Sequence, residues 1–296
     1  GPRPTTAGPC PEVVNSATPS SMEQGARKRS RLATLAVALA IGWVGTAAAQ
    51  PRGAKPKKGK VDVAAQKAAF LGADVDKGKA AAIELGKTDD AAAHALLLDG
   101  LGTGLHPDVA EVALTSLAAA PRPGDLTTLG RYVRARNTAV RTAAVRALGG
   151  QTDAGPMILE ALRDQQATVR AAAAEAVVAR KPKGAAEPLL ALLDKGELPA
   201  AKALAAIADA DLARVIGERI GTAPDSALAV SLGDILVRPD FANEAAKVQV
   251  VRTLAKLAGP EAITALGDYV DATPATPVKQ SRREAEAALK EKLGGD

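Results

Sequence analysis

The sequence predicts an all-α protein, a right-handed α-solenoid built from stacked antiparallel helix pairs. Three observations predict this class. A short motif recurs at intervals of roughly 30 residues, which is the signature of a repeat architecture. The apolar residues are mostly alanine, leucine and valine, while aromatic residues make up only 2% of the chain. The alternation of polar and apolar residues that is typical of strands is absent from the sequence.

The recurring motif carries an arginine beside a run of alanines. Its two clearest copies read VRTAAVRAL from Val140 and VRAAAAEAV from Val169, and weaker copies occur at 108–117 and 199–207. Shorter apolar segments, each bounded by Gly, Pro or Asp, lie between the copies and start near residues 124, 155 and 186. Each unit therefore consists of a short helix, a tight turn and a longer helix.

The motif blurs after residue 210, although helical periodicity continues. Five further helices are expected at 210–220, 224–237, 241–258, 260–272 and 279–293. How they pair with one another is left open. The segment 279–293 is rich in charged residues, so we expect it to form a polar helix that closes the end of the stack.

This pattern, spread over residues 75–293 and clearest over 105–210, resembles the HEAT repeat family, and particularly its short form, which is also seen in phycobilisome lyases. The resemblance implies a protein-binding scaffold whose concave face is lined by the second helix of each repeat. It also implies that the repeated arginine, here Arg141 and Arg170, ties adjacent repeats together. Ligand handling of the lyase type is the enzymatic alternative within the resemblance.

Residues 22–49 have the three parts of a secretory signal peptide. A basic segment ends at Arg31, an uncharged apolar run follows, and small residues precede a cleavage site after Ala49. We therefore expect a periplasmic or secreted protein in a bacterial-type cell envelope. A permanent membrane anchor is the alternative, because an uncharged segment of about 18 residues is at the lower limit for a spanning helix.

Two further segments flank the predicted signal. Residues 1–21 are rich in Pro, Ser and Thr and are expected to be a disordered extension, explained most economically by a mis-assigned start upstream of Met22. Residues 50–60 hold five basic residues and no acid, which predicts a basic flexible linker. If the signal is not cleaved, residues 32–60 are expected to contact the membrane. The solenoid is predicted to occupy 61–296.

Charge and composition weigh against several classes of function. The net charge of +5 suggests nucleic acid, but ten of the 38 basic residues lie in residues 1–60 together with only two of the 33 acidic residues. The body is therefore nearly neutral, and with the export signal this argues against a nucleic-acid partner. Cys10 is the single cysteine, so neither a disulfide framework nor a cysteine-based metal site is expected.

The sequence contains no catalytic or cofactor-binding motif with the residue spacing that its chemistry requires. The glycines at 53–60 and at 100–104 depart from the phosphate-binding and dinucleotide-binding patterns. His94 is expected at the surface and His106 in a turn that opens a helix, and neither is followed by the glutamate of the iron-binding HEAT hydroxylases. We therefore expect no metal, no cofactor and no enzymatic activity.

One local concentration of charge stands out as a candidate binding site. No acidic residue occurs in 126–152, a segment that contains Arg131, Arg134, Arg136, Arg141 and Arg146. One interpretation is a patch that binds an acidic protein, a lipid phosphate or nucleic acid, with Arg134 and Arg141 facing one groove. The other interpretation is a structural role, which the recurrence of Arg141 as Arg170 favours. The function expected from the sequence is a scaffold for an unidentified protein partner, with a lyase-like or basic-patch binder as the alternatives.

Overall fold

The computed structural model describes residues 61–294, and within them the chain forms fifteen helices and no strand. The predictions for the extension, the signal and the linker lie outside these residues. The helices are α1 Val63–Phe70, α2 Val75–Gly86, α3 Ala91–Thr103, α4 Pro107–Ala119, α5 Asp125–Tyr132, α6 Thr138–Leu148, α7 Gly155–Ala161, α8 Ala167–Arg180, α9 Ala186–Leu193, α10 Leu198–Ile207, α11 Ala210–Gly217, α12 Asp225–Val237, α13 Glu244–Lys256, α14 Pro260–Ala272 and α15 Gln280–Lys292.

The helices form two layers. Each odd-numbered helix from α1 to α13 packs on the even-numbered helix that follows it, and α15 packs on both α13 and α14. The even-numbered helices α2 to α14 also contact one another in unbroken succession, and we call this row the even layer. The odd-numbered helices form the odd layer. The predicted all-α solenoid of stacked helix pairs is thus confirmed, and the pairing after residue 210 continues the same scheme.

The helix boundaries follow local chemistry. Side-chain oxygens accept hydrogen bonds from backbone N–H groups of the first turn, which have no partner inside the helix. Such caps are provided by Asp62, Asp74, Asp90, Asn137, Asp209 and Asn243. Proline occupies the first turn of several helices, where its missing N–H costs nothing. These prolines are Pro107, Pro156, Pro199 and Pro260.

The core between the layers is made largely of small aliphatic side chains. Taken together, α6, α8 and α10 have alanine at 11 of their 18 buried positions, and valines, leucines and one threonine at the others. Small side chains allow neighbouring helices to approach closely, and the high helix propensity of alanine stabilises each helix at the same time. The two largest fully buried side chains, Phe70 and Tyr269, lie near the two ends of the described stack.

Close approach between successive even-numbered helices is evident where α12 meets α14. A Cβ atom added to Gly233 would lie 2.7 Å from the Cβ atom of Ala265, which is well inside van der Waals contact. At Gly267, on α14 itself, an added Cβ atom would meet no atom within 4 Å. The contact between α12 and α14 therefore depends on the absence of a methyl group at position 233.

We expect Gly233→Ala to lower the free energy of unfolding by about 1–2 kcal/mol. Overpacking costs roughly 1–3 kcal/mol, and the better helix propensity of alanine returns up to about 1 kcal/mol. Gly267→Ala is the matched control and should raise stability by up to about 1 kcal/mol, because only the propensity gain applies there. Urea unfolding of both variants checks this, and equal effects of the two substitutions would contradict the close contact.

Candidate functional site

Arg141, at the start of α6, joins two repeats. Its Nε and Nη2 atoms donate to the carboxylate of Asp164, at 3.0 and 3.2 Å. Its Nη1 atom donates to the backbone carbonyls of Ala135 and Arg136, at 2.8 and 3.1 Å. The guanidinium thus satisfies carbonyls in the turn of its own repeat, which lack partners where α5 ends, and binds the next repeat through an ion pair.

Arg170 repeats this arrangement one unit further along the chain. Its Nη2 atom donates to Glu197 at 2.5 Å, and its Nη1 atom donates to the carbonyls of Asp164 and Gln165 at 2.8 and 2.9 Å. Asp164 therefore accepts from Arg141 through its carboxylate and from Arg170 through its backbone. The expectation that the repeated arginine ties adjacent repeats together is borne out by these contacts.

The electrostatics of these ties reflect their partial burial. All four paired side chains are less than a fifth exposed, so solvent screens them weakly. Burial raises the pKa of Asp164, but the hydrogen bonds from Arg141 and from the N–H of Gln166 outweigh it and hold that pKa below its ordinary value. The hydrogen bond to Glu197 raises the pKa of Arg170. Both pKa shifts favour the charged forms of Asp164 and Arg170.

Two other arginines of the predicted patch also face acids of the following repeat. Arg134 donates from Nε and Nη2 to the carboxylate of Glu160, at 3.1 and 3.0 Å, although both side chains are more than half exposed. Arg146 lies 3.5 Å from Glu175 in an equally exposed pair. Exposed pairs of this kind contribute little to stability, so these two arginines stay accessible to a partner.

Arg131 and Arg136 are exposed and form no ion pair within residues 61–294. Arg134 and Arg141 do face one cleft, of about 520 Å³, as the sequence predicted. That cleft also contains Glu160 and Asp164, so its charge is mixed. Although 126–152 contains no acidic residue, acids of the next repeat pair with three of its arginines. The partner-binding role of the five arginines stays a prediction.

The expectation of a surface position for His94 is wrong. His94 is 8% exposed, and its Nε2 atom lies 2.7 Å from Oδ1 of Asp125, which is 1% exposed. The other oxygen of Asp125 accepts from the N–H of Arg122 at 2.9 Å. The pair joins α3 to α5. Asp125 lies too far from His94 in the sequence for local periodicity to reveal the contact. His106, in contrast, caps α4 as expected and is exposed.

The outward side of the even layer is a surface that the sequence did not reveal. Within the part of the chain that the structure describes, four large apolar side chains are exposed inside helices, and all four lie on even-numbered helices. They are Ile83, Val178, Leu198 and Val237. Val178 and Leu198 line one cleft of this layer, and Val237 lines a second one.

Two clefts on this layer are joined by Lys202. The first, of about 520 Å³, lies between α8 and α10, and the second, of about 460 Å³, lies between α12 and α14. Because Lys202 lines both, we treat them as one feature and call it the even-layer groove. Its lining is mainly apolar, and its charged residues are Glu175, Lys202, Asp234, Glu261 and Asp268.

We expect Arg170→Met to lower the free energy of unfolding by about 1–3 kcal/mol, because it leaves Glu197 and two turn carbonyls without their partially buried donor. Arg134→Met is the matched control and should cost less than about 1 kcal/mol, since its pair with Glu160 is exposed. Urea unfolding of the two variants measures the difference. An equal, small loss in both would show that Arg170 does not tie the repeats together.

Comparison with known proteins places part of this arrangement in a family. A family model described as HEAT repeats matches residues 126–210, which contain nearly all of α5 and the whole of α6 to α10. No curated protein matches the chain significantly in sequence.

Solved structures give weaker likenesses. The complex of CpcE and CpcF of phycocyanin lyase from Nostoc sp. PCC7120 is 17% identical with a TM-score of 0.44, covering 84% of this chain and 100% of that one. Two engineered proteins are each 19% identical with TM-scores of 0.34, covering 80% of this chain and 100% and 98% of theirs. TM-scores below 0.5 do not establish a common overall shape. The likeness to HEAT repeats therefore comes from the sequence model, which matches residues 126–210, and the packing of helix pairs in that segment agrees with it.

Proposed function

We propose that this chain is an exported scaffold of the cell envelope that binds a protein partner through the even layer. One observation carries the proposal: the exposed large apolar residues inside the described helices all lie on that layer. Exposed apolar residues scattered singly are ordinary, whereas a set concentrated on one face marks an interaction surface. Solenoids present extended surfaces of this kind.

The sequence supports a binding role rather than a catalytic one, because it contains no catalytic motif with the required residue spacing. Within residues 61–294 no group of three or more His, Cys, Asp or Glu side chains is placed to hold a metal ion. The likeness to CpcE and CpcF is too low to favour a lyase-like role.

A second candidate surface is the exposed pair Arg131 and Arg136. These two side chains have no ion-pair partner in the described part of the chain, so they are free to bind an acidic partner or an anionic lipid. The even layer is the better supported surface because its exposed apolar residues lie outside the hydrophobic core.

Export is supported by the three-part signal in residues 22–49. Among the helices at 61–294, none has the length and hydropathy needed to cross a membrane. We expect the protein recovered from a cell envelope to begin at Gln50, because the small residues up to Ala49 fit a signal peptidase. N-terminal sequencing measures this, and recovery of a chain that retains residues 32–49 would favour the membrane anchor.

Partner capture from envelope fractions tests the binding surface. We expect Val178→Ser combined with Leu198→Ser to reduce partner recovery about tenfold, because two exposed apolar side chains of the groove lose their contacts. Ile220→Ser with Val278→Ser is the matched control, since these residues are exposed to a similar degree in turns.

A third variant, Arg131→Glu with Arg136→Glu, separates the two candidate surfaces. If the partner is fully recovered with the Val178→Ser, Leu198→Ser variant but lost with the arginine variant, the arginines and not the even layer bind the partner. Melting curves of all variants establish that each is folded.

A further inference from the structure

The second cleft of the even-layer groove holds three carboxylates and a single basic residue. Asp234 on α12 and Glu261 and Asp268 on α14 line the second cleft, and none of them forms an ion pair within residues 61–294. Lys202 is the one basic residue of that cleft. Elsewhere in the described stack the prominent acids of the turns are paired with arginines. The groove therefore carries a net negative charge that no ion pair of the described residues neutralises.

The floor of the groove is apolar, while its charges lie at the edge. Ala229, Gly233 and Ala265 are buried beneath the second cleft, and Val237 stands 43% exposed at its side. In the first cleft Val178 and Leu198 are 43% and 47% exposed. A ligand for this surface must therefore offer an apolar strip to the floor.

Asp234 is exposed at the surface, but neighbouring protein atoms remove part of the water around its carboxylate. Burial raises the pKa of Asp234, the charge of Lys202 opposes that effect, and the nearby Asp268 carboxylate reinforces it. An added cation near Asp234 and Asp268 would relieve both the desolvation and the repulsion between like charges. The electrostatics of the site thus favour a positively charged ligand.

The dimensions fit a helix. Helices that pack side by side are separated by about 8–10 Å, so the four helices α8, α10, α12 and α14 extend over roughly 25–30 Å. A helix rises about 1.5 Å per residue, so about 17–20 residues would follow the groove from end to end. An amphipathic helix lying in an apolar groove is a recurring mode of protein recognition.

We propose that the even-layer groove from α8 to α14 binds an amphipathic helix of a partner protein, with lysine or arginine residues flanking its apolar face. This rests on the proposed function in using the even layer, and goes beyond it in naming the chemistry of the partner. Nucleic acids and anionic lipids do not fit the groove, because their phosphates would face Asp234, Glu261 and Asp268.

The test uses two synthetic peptides of about 18 residues, both amphipathic as helices, one of leucine and lysine and the other of leucine and glutamate. Fluorescence anisotropy with the whole chain measures the Kd of each. We expect the lysine peptide to bind and the glutamate peptide to bind at least tenfold more weakly.

Charge variants locate the binding. Asp234→Asn with Asp268→Asn should weaken the lysine peptide about tenfold, since two ion pairs are lost. Glu187→Gln with Asp211→Asn, which removes two exposed acids from the odd layer, is the matched control and should leave the Kd unchanged. Lys202→Glu should strengthen binding several-fold, a gain that misfolding does not produce.

Three results would overturn the proposal: no binding of the lysine peptide, equal binding of both peptides, or a Kd that does not respond to the groove variants. These failures are distinguishable from failure of the proposed function. If Val178→Ser with Leu198→Ser abolishes partner capture while the chain binds both peptides equally, the even layer is the binding surface but the proposed positive charge of the partner is wrong. If the captured protein is unaffected by those serines, the even layer is not the binding surface.

Discussion

The close contact between successive even-numbered helices is the constraint on which the rest of the structure depends. A single helix pair leaves one apolar face uncovered, and only the next pair covers it. Alanine at most buried positions of α6, α8 and α10, and glycine where α12 meets α14, allow this approach. Stability in such a stack is approximately a sum of terms between nearest neighbours, so each interface must be specified locally.

The arginine ties are a consequence of that stacking. Short odd-numbered helices end in turns whose carbonyls lack partners, and a guanidinium held by the following helix reaches both these carbonyls and an acid of the next repeat. Arg141 and Arg170 therefore serve the fold first. The acids Asp164 and Glu197 that neutralise them come from later in the chain, which is why a segment without acids does not form a uniformly basic surface.

Much of the fold could be predicted from the sequence because helix limits depend on neighbouring residues. The helical periodicity of 260–272 predicts a helix, and α14 has those limits. The pairing of helices after residue 210 could not be predicted, because the repeat motif is lost there and contacts between helices decide it. The pair of His94 with Asp125 was missed for the same reason, since its members lie 31 residues apart.

The candidate site was the least predictable feature. Clusters of like charge are visible in a sequence, and they drew attention to the arginines from 131 to 146. The even-layer groove combines residues from four helices, and no two of its exposed apolar residues are close enough in sequence to form a motif. Only the layer arrangement brings Val178, Leu198 and Val237 to one side, together with the unpaired carboxylates.

Native-state hydrogen exchange of Arg170→Met compared with the unaltered protein is the most direct test of the nearest-neighbour stack. The account predicts faster amide exchange in α7 to α10, which flank the broken tie, while the amides of α13 to α15 keep their original rates. A uniform acceleration from α1 to α15 would show one cooperative globular core and would contradict the account.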